Sequence, residues 1–302
     1  MTKAEQTPVS TSSKSTKTLK LLGKPVAEVI RAEVAQKVAQ FVQKYSRQPH
    51  LTVVLVGDDV ASGVYVRSKG KACEQVGMKS TTILLPSATT EAELVAKVLS
   101  LNADDDVDGI LIQLPLPKHI KTEKVLNLVD PKKDVDAFTL FSSGAIFKDQ
   151  ALVYPCTPYG VMRMLAHYQI PVAGKHVVVV GRSQIVGKPM AMLMLKDNAT
   201  VTVCHSKTQN LENFTRHADI VVVAAGQREF LGRSAFSEKT VIIDVGIHGS
   251  GTGSQICGDV KFSDVDDFVA AASPVPGGVG PLTIAVLLEN TVKLAESRCQ
   301  TR

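Results

Sequence analysis

The chain contains no run of the roughly 18 or more apolar residues that a membrane-spanning helix requires, so no membrane partner is expected. Its five cysteines (Cys73, Cys156, Cys204, Cys257 and Cys299) never fall in a CxxC spacing, and their number is odd. A disulfide framework and a zinc ribbon are thereby disfavoured, and no other spacing suggests a metal; reduced thiols in a cytoplasmic compartment fit better. A basic stripe is also missing. The formal charge is +5, but Lys3, Lys14, Lys17 and Lys20 against Glu5 place +3 of it in the first twenty residues, leaving +2 for the remaining 282. No nucleic-acid partner is expected from so small an excess. Those first residues lack the apolar core of a secretory signal and contain no arginine, against a secretory or organellar leader. Residues 1–19 read as a disordered tail.

What is present is an ordinary globular composition, 44% hydrophobic and 21% charged over 302 residues, enough for one large or two medium domains. From Lys20 onward the pattern alternates. Apolar spacing predicts helices over 25–44, 61–76 and 90–101, and short β-branched runs predict strands over 51–57, 80–86 and 109–117. A polar, Gly- and Pro-containing break spans 130–158. Strands then follow at 176–181, 200–206, 218–226 and 240–247, with a helix at 187–197. The expected fold class is α/β with two domains: an N-terminal α/β substrate domain and a Rossmann-like, doubly wound NAD(P)-binding domain, with a cleft between them. Residues 20–158 plus 281–302 form the first and 159–280 the second, because the helix from Pro281 is expected to return to the first domain.

The strand 176–181 runs into Gly181-Arg182-Ser183-Gln184-Ile185-Val186-Gly187-Lys188-Pro189. A glycine turn between strand and helix lets backbone N–H groups approach a pyrophosphate, and Pro189 suits a first helical turn. Ser183 stands where the second glycine of the dinucleotide fingerprint is usual. The same stretch is a poor ATP-binding loop, since five residues separate its glycines and Pro189 replaces the Mg²⁺-binding hydroxyl. About twenty residues on, Cys204-His205-Ser206-Lys207 offers no acid for a ribose 2′-hydroxyl. Arg182, Ser206 and Lys207 suit a 2′-phosphate instead, unless they are merely solvated, which favours NADP as cofactor.

Tyr65 and Lys69, at i and i+4, share one helix face. A partly desolvated Lys there has its pKa lowered towards neutrality and can move protons as water attacks an iminium carbon; the bland reading is a lysine snorkelling over a tyrosine. Short-chain dehydrogenases use a similar pair, but their nucleotide turn precedes it, whereas here it follows. Gln113 lies within an apolar strand and needs partners. Asp134 and Asp136 alternate in an extended segment, so both can face one side, where a carboxylate can pair with an amino-amidine edge. Asp104-Asp105-Asp106 reads as a solvated loop. The loop 274–281, Pro-Val-Pro-Gly-Gly-Val-Gly-Pro, reads as a binding loop before a helix.

Seven segments in order, YVRSK, GILIQLPLP, PKKDVDAF, YPCTPYG, VVVVGRSQIVGKPM, VTVCHSKT and PVPGGVGPLT, resemble the signatures of the methylenetetrahydrofolate dehydrogenase/cyclohydrolases, over about residues 20–295. The resemblance implies oxidation of 5,10-methylenetetrahydrofolate with NADP and hydrolysis of the methenyl product to 10-formyltetrahydrofolate, in a setting of one-carbon metabolism and purine biosynthesis. It implies Lys69 as the catalytic amine, Tyr65 orienting the folate, Gln113 as the partner of Lys69, and Asp136 on the pterin. The cofactor set it implies is Gly181, Arg182, Ser183, Ile185, Val186, Gly187, Pro189, His205, Ser206, Ile247 and Thr283. The folate set is Tyr65, Gln113, Leu114, Pro115, Asp136, Pro276, Gly277 and Gly278. A homodimer through the nucleotide domain is also implied. His248 departs from the pattern, where an amide or small polar residue is expected. A shikimate-type dehydrogenase and a non-catalytic dinucleotide-binding scaffold are the competing readings.

Overall fold

The structure is a computed structural model that describes residues 17–249 and 256–300, with the side chains of Val60 and Ala61 left aside. In chain order the elements are β1 (Leu19–Lys20), α1 (Gly23–Tyr45), β2 (His50–Val56), α2 (Val60–Gln75), β3 (Lys79–Leu85), α3 (Glu91–Ala103), β4 (Gly109–Ile112), α4 (Thr122–Leu126), α5 (Leu140–Phe147), α6 (Cys156–His167), β5 (His176–Val180), α7 (Gly187–Lys196), β6 (Thr200–Cys204), α8 (Leu211–Thr215), β7 (Ile220–Val223), β8 (Val241–Asp244), β9 (Ala271–Ala272) and α9 (Gly280–Gln300). Two sheets result, one ordered β3-β2-β4 and the other β1-β9-β8-β7-β5-β6, with every strand pair parallel.

The burial pattern follows strand position. All seven residues of the central β2 are buried, as a parallel strand under cover on both faces requires. The edge strand β3 alternates between partly buried and exposed positions. In the larger sheet, Val177–Val180 and Ile220–Val223 fill the middle. Helix α3 begins with a capping box in which the Thr90 hydroxyl accepts the Glu93 N–H and the Glu93 carboxylate accepts the Thr90 N–H. Its other end is capped from a distance: the buried Lys133 ammonium donates to the carbonyls of Leu101, Asn102 and Asp104 at 2.6–2.8 Å. That anchor fixes the start of the segment carrying Asp134 and Asp136.

Helix α9 ties the two halves together. It packs along α1 and α6 and reaches α2, β2 and β4. From it, Asn290 donates to the carbonyls of Val135 and Tyr154 at 2.9 and 2.8 Å. Arg298 and Arg47 converge on the fully buried Asp108.

Three expectations from the sequence shift. Thr18 and Leu19, assigned to the tail, are placed: Thr18 is buried and donates to the carbonyls of Val265 and Val269, and Leu19 pairs with Ala271. Lys17 of that tail is described too, and residues 1–16 lie outside the described residues. The strand predicted over 109–117 stops at Ile112, since Pro115 and Pro117 have no N–H to give a ladder. Strands β7 and β8 end at Val223 and Asp244, earlier than the apolar runs suggest, and the residues beyond them become loops at the carboxyl edge of the sheet.

Candidate active site

The first cluster grows from α2. Asp59 caps this helix by accepting the Ser62 N–H at 2.7 Å, and the i, i+4 spacing then stacks Tyr65 over Lys69. The Lys69 ammonium lies 4.6 Å from the Tyr65 ring centroid and donates to Gln113 Oε1 at 2.9 Å. Gln113 sits just past β4, and its own Nε2 donates to the Leu114 carbonyl at 2.7 Å, which turns Oε1 towards the lysine. Lys69 is only 5% exposed. Burial pushes its pKa down, with Asp136 opposing the shift, so the amine is held closer to neutrality than a surface lysine.

Asp136 completes the cluster. Burial pushes its carboxyl up to about 6 in spite of the Lys69 charge, and Asp134 adds to the rise. The Cys156 thiol, at the start of α6, donates towards Asp136 Oδ1 at 3.5 Å, and burial beside that carboxylate keeps the thiol well above its usual range. The phenol of Tyr65 is pushed up to about 12 by burial, with a hydrogen bond to Thr283 opposing, so it remains protonated as a donor. Asp134 does not share the face of Asp136, contrary to the alternation argument. It accepts the N–H groups of Phe138 and Thr139 and the Ser142 hydroxyl, because the chain turns sharply there and needs its own backbone satisfied.

Next to this cluster opens a cleft of about 500 Å³ whose lining includes Tyr65, Val186, Ile247, Thr283 and the whole loop 274–281, and therefore Pro276, Gly277 and Gly278. Thr157 and Thr283 hydroxyls meet at 3.0 Å across it. The loop needs Gly278, since a Cβ there would stand 2.5 Å from the Pro274 carbonyl oxygen. Sequence reading missed Thr157, Val245 and Gly246 in this lining; the position of the last two just past a parallel strand was the available signal.

A second hollow, of about 430 Å³, is lined by Gly181, Arg182, Ser183, His205 and Ser206, together with Ala224, Ala225 and Gln227, which sequence reading did not single out. The small residues closing ADIVVVAAG were the clue to Ala224 and Ala225. Gly181 has φ +132°, and a Cβ on it would lie 2.2 Å from the Ala224 carbonyl oxygen, so no other residue fits. Ser183, at the usual place of a glycine, accepts the N–H groups of Val186 and Gly187 at 3.2 and 3.3 Å and so satisfies donors at the entry to α7. Ile185 is exposed, Gly187 is buried against the turn, and Pro189 faces a third hollow with Gln184 and Met192. Leu114 and Pro115 lie beside Gln113, joined by a cis peptide bond.

The donor set of the second hollow fits NADP. Its lining holds a guanidinium, two serine hydroxyls and turn backbone, with no carboxylate to repel a 2′-phosphate. Among the described residues no group of three His, Cys, Asp or Glu side chains gathers as a metal ion would require. The described cysteines are free thiols, and no described helix is long and apolar enough to cross a membrane.

A doubly wound sheet with a phosphate-ready turn, together with a buried amine hydrogen-bonded to an amide beside a neighbouring cleft that Val186 of that turn also lines, defines a nucleotide-dependent dehydrogenase. The chain belongs to the tetrahydrofolate dehydrogenase/cyclohydrolase family: the catalytic-domain model matches residues 21–136 and the NAD(P)-binding-domain model residues 155–299. It is 55% identical to the bifunctional protein FolD of Bdellovibrio bacteriovorus over 278 residues, covering 92% of this chain and 96% of that one. Its structure resembles the FolD methylenetetrahydrofolate dehydrogenase/cyclohydrolase of Campylobacter jejuni, with TM-score 0.89, 44% identity, and 93% and 99% of the two chains covered. It also resembles the Trypanosoma brucei FolD complexed with NADP and an inhibitor, with TM-score 0.90, 34% identity, and 94% and 99% covered.

Proposed function

We propose that this chain oxidises 5,10-methylenetetrahydrofolate with NADP and hydrolyses the resulting methenyl cation to 10-formyltetrahydrofolate, both within the cleft that joins the Tyr65–Lys69–Gln113 cluster to the dinucleotide turn. The observation that carries the reading is the buried Lys69–Gln113 hydrogen bond beside Asp136, within a chain matched by both family models.

Asp136 accepts paired hydrogen bonds from the amino-amidine edge of the pterin, while Tyr65 and the loop at Pro276, Gly277 and Gly278 shape the wall beside it. Arg182, Ser183 and Ser206 hold the 2′-phosphate end of NADP, with Gly181, Ile185, Val186, Gly187, Pro189 and His205 forming the turn and its surroundings, and Ile247 and Thr283 flanking the nicotinamide. When bound, the cofactor supplies the hydride acceptor. In the hydrolytic step, Lys69 with its lowered pKa takes a proton from water as the oxygen bonds to the methenyl carbon. The same amine then returns that proton to the departing ring nitrogen, while the carbinol O–H loses its own proton to solvent as the formyl C=O forms and the C–N bond breaks, so that one proton is released overall. Gln113 keeps the lysine aimed, since its carbonyl oxygen accepts a Lys69 N–H whether the amine is neutral or protonated, and its amide is locked by Leu114.

On this reading residues 20–158 with 281–302 form the folate-binding part and 159–280 the cofactor part. A homodimer through the nucleotide half is supported by the edge position of β6 and by the exposed apolar side chains of Leu195 and Val203. A cytoplasmic setting is supported by the free thiols. The test is turnover of 5,10-methylenetetrahydrofolate followed by absorbance, with NADP and NAD in parallel, and acid-quench detection of the methenyl product. NADP-dependent formation of that product is the expected result; folded protein inert with both cofactors would overturn the reading.

A further inference from the structure

Beneath the cofactor half of the cleft, one fully buried carboxylate joins two loops. Asp259 Oδ2 accepts the N–H groups of Ala225 and Gly226 at 2.7 and 2.9 Å, and its Oδ1 meets His248 Nε2 at 2.7 Å. Ala225 lines the hollow that contains Arg182 and Ser206. Ile247, next to His248 in the chain, lines the cleft that contains Tyr65 and Thr283. The carboxylate is itself fixed from behind. Its backbone N–H and that of Val260 donate to Asp244 at 3.0 and 2.8 Å, and Asp244 Oδ1 also accepts the Gly246 N–H at 2.9 Å. His248 is further bound through its backbone to Cys257, with N–H donated in both directions at 2.8 and 3.1 Å. Gly246 permits this closeness, since a Cβ there would sit 2.3 Å from Asp259 Oδ1.

We propose that His248, acting through Asp259, is a positioning residue for NADP, holding the 224–226 loop and the 245–248 loop in fixed register so that the two ends of the cofactor site are shaped together. The inference rests on the reading that these two hollows hold the cofactor. The imidazole is the side-chain partner of a buried anionic acceptor whose second oxygen already serves two backbone donors. Losing it leaves Oδ1 short of a donor in a place where water is scarce, and the least costly response is for the two loops to separate or turn. Lys69, Gln113 and Asp136 belong to other elements, so the hydrolytic site need not move with these loops.

The experiment compares His248→Ala and His248→Gln with the parent protein, and includes Arg182→Ala. Four quantities are measured: NADP affinity by titration calorimetry, amide hydrogen exchange of the segment containing Ala225 and Gly226 without cofactor, dehydrogenase turnover, and hydrolysis of methenyltetrahydrofolate without NADP. His248→Ala is expected to weaken NADP on the order of tenfold, in keeping with the loss of one charge-assisted hydrogen bond. It should also speed exchange at Ala225–Gly226 while leaving hydrolysis within about twofold of the parent. His248→Gln, whose amide N–H can reach the same oxygen, is expected to restore affinity and protection. Unchanged NADP affinity in His248→Ala, parallel loss of both activities, or a Gln variant no better than Ala would overturn the proposal. If Arg182→Ala weakens NADP while His248→Ala does not, the positioning role alone fails; if Arg182→Ala binds NADP like the parent, the placement of the cofactor fails first.

Discussion

The two halves of the cleft make their chemistry by opposite means. On the proposed folate side the groups that carry the reading lose most of their water: burial pushes Lys69 down and Asp136 up, while Tyr65, partly exposed at the cleft, keeps its phenol protonated. On the proposed cofactor side the hollow is lined largely by backbone and exposed side chains. Arg182, Ser183, Ser206 and Ile247 face solvent, whereas the buried acids Asp244 and Asp259 spend their oxygens on loop N–H groups. A proton-transfer site needs a pKa moved from its ordinary value, and desolvation is the direct way to move it. A cofactor that supplies its own reactivity needs shape and charge complementarity, which turns at strand ends provide without burial.

That contrast can be broken most sharply at Lys69. Lys69→Met is expected to lower cyclohydrolase turnover by about 10²–10⁴-fold, the range for loss of a general acid–base group, with NADP affinity unchanged by calorimetry. An enzyme still hydrolysing at the parent rate would remove the lysine from its assigned role. Next in size, Arg182→Ala should raise the KM for NADP by about 10- to 100-fold, as loss of a charge-assisted contact to phosphate implies, and should leave the KM for NAD within about twofold. Equal losses with both cofactors would place the 2′-phosphate elsewhere. Gly181→Ala should destabilise the fold by about 1–3 kcal/mol through the forced φ and the clash with Ala224. Urea unfolding measures that cost, and an undiminished midpoint would mean that the turn relaxes freely.

The smallest effect concerns Asp136. Its folded-state pKa of about 6 lies above the ordinary carboxylate value, so between roughly pH 4 and 6 the native protein holds a proton that the unfolded chain has released. Stability contributed by that proton is present at low pH and is lost as pH rises through about 6. Asp136→Asn should therefore flatten this part of the Tm-against-pH curve, with Asp244 retaining a similar slope of its own. The same variant should weaken folate binding and remove the acid limb of kcat/KM near pH 6. A melting curve with unchanged slope, or folate binding unaltered, would show that the carboxylate is neither desolvated nor engaged.

Much of this was legible before folding. The i, i+4 spacing of Tyr65 and Lys69 is a helical fact, and the Val-rich run into Gly181 already declares a strand, a turn and a helix. The lack of acid between Val203 and Lys207 pointed to NADP for a reason of charge alone. Other parts were not legible. Asp134 and Asp136 look equivalent in an extended segment, yet the turn at Ala137, with φ 55°, sends one carboxylate to the backbone of Phe138 and Thr139 and leaves the other with Cys156. Thr18 sat within a stretch of tail-like composition, and its burial depends on loop carbonyls some 250 residues away.

The sequence by itself determined the elements, the order of the two parallel sheets' building blocks, and the residue types available for amine, amide, carboxylate and phosphate chemistry, because periodicity, turn residues and charge are local properties of a chain. Only the tertiary structure decided which of those groups meet. It brought Gln113 to Lys69 across 44 residues and Asp259 to Ala225 across 34. It also decided which of them lose their water, since desolvation depends on what distant segments pack above a group, and no local pattern carries that information.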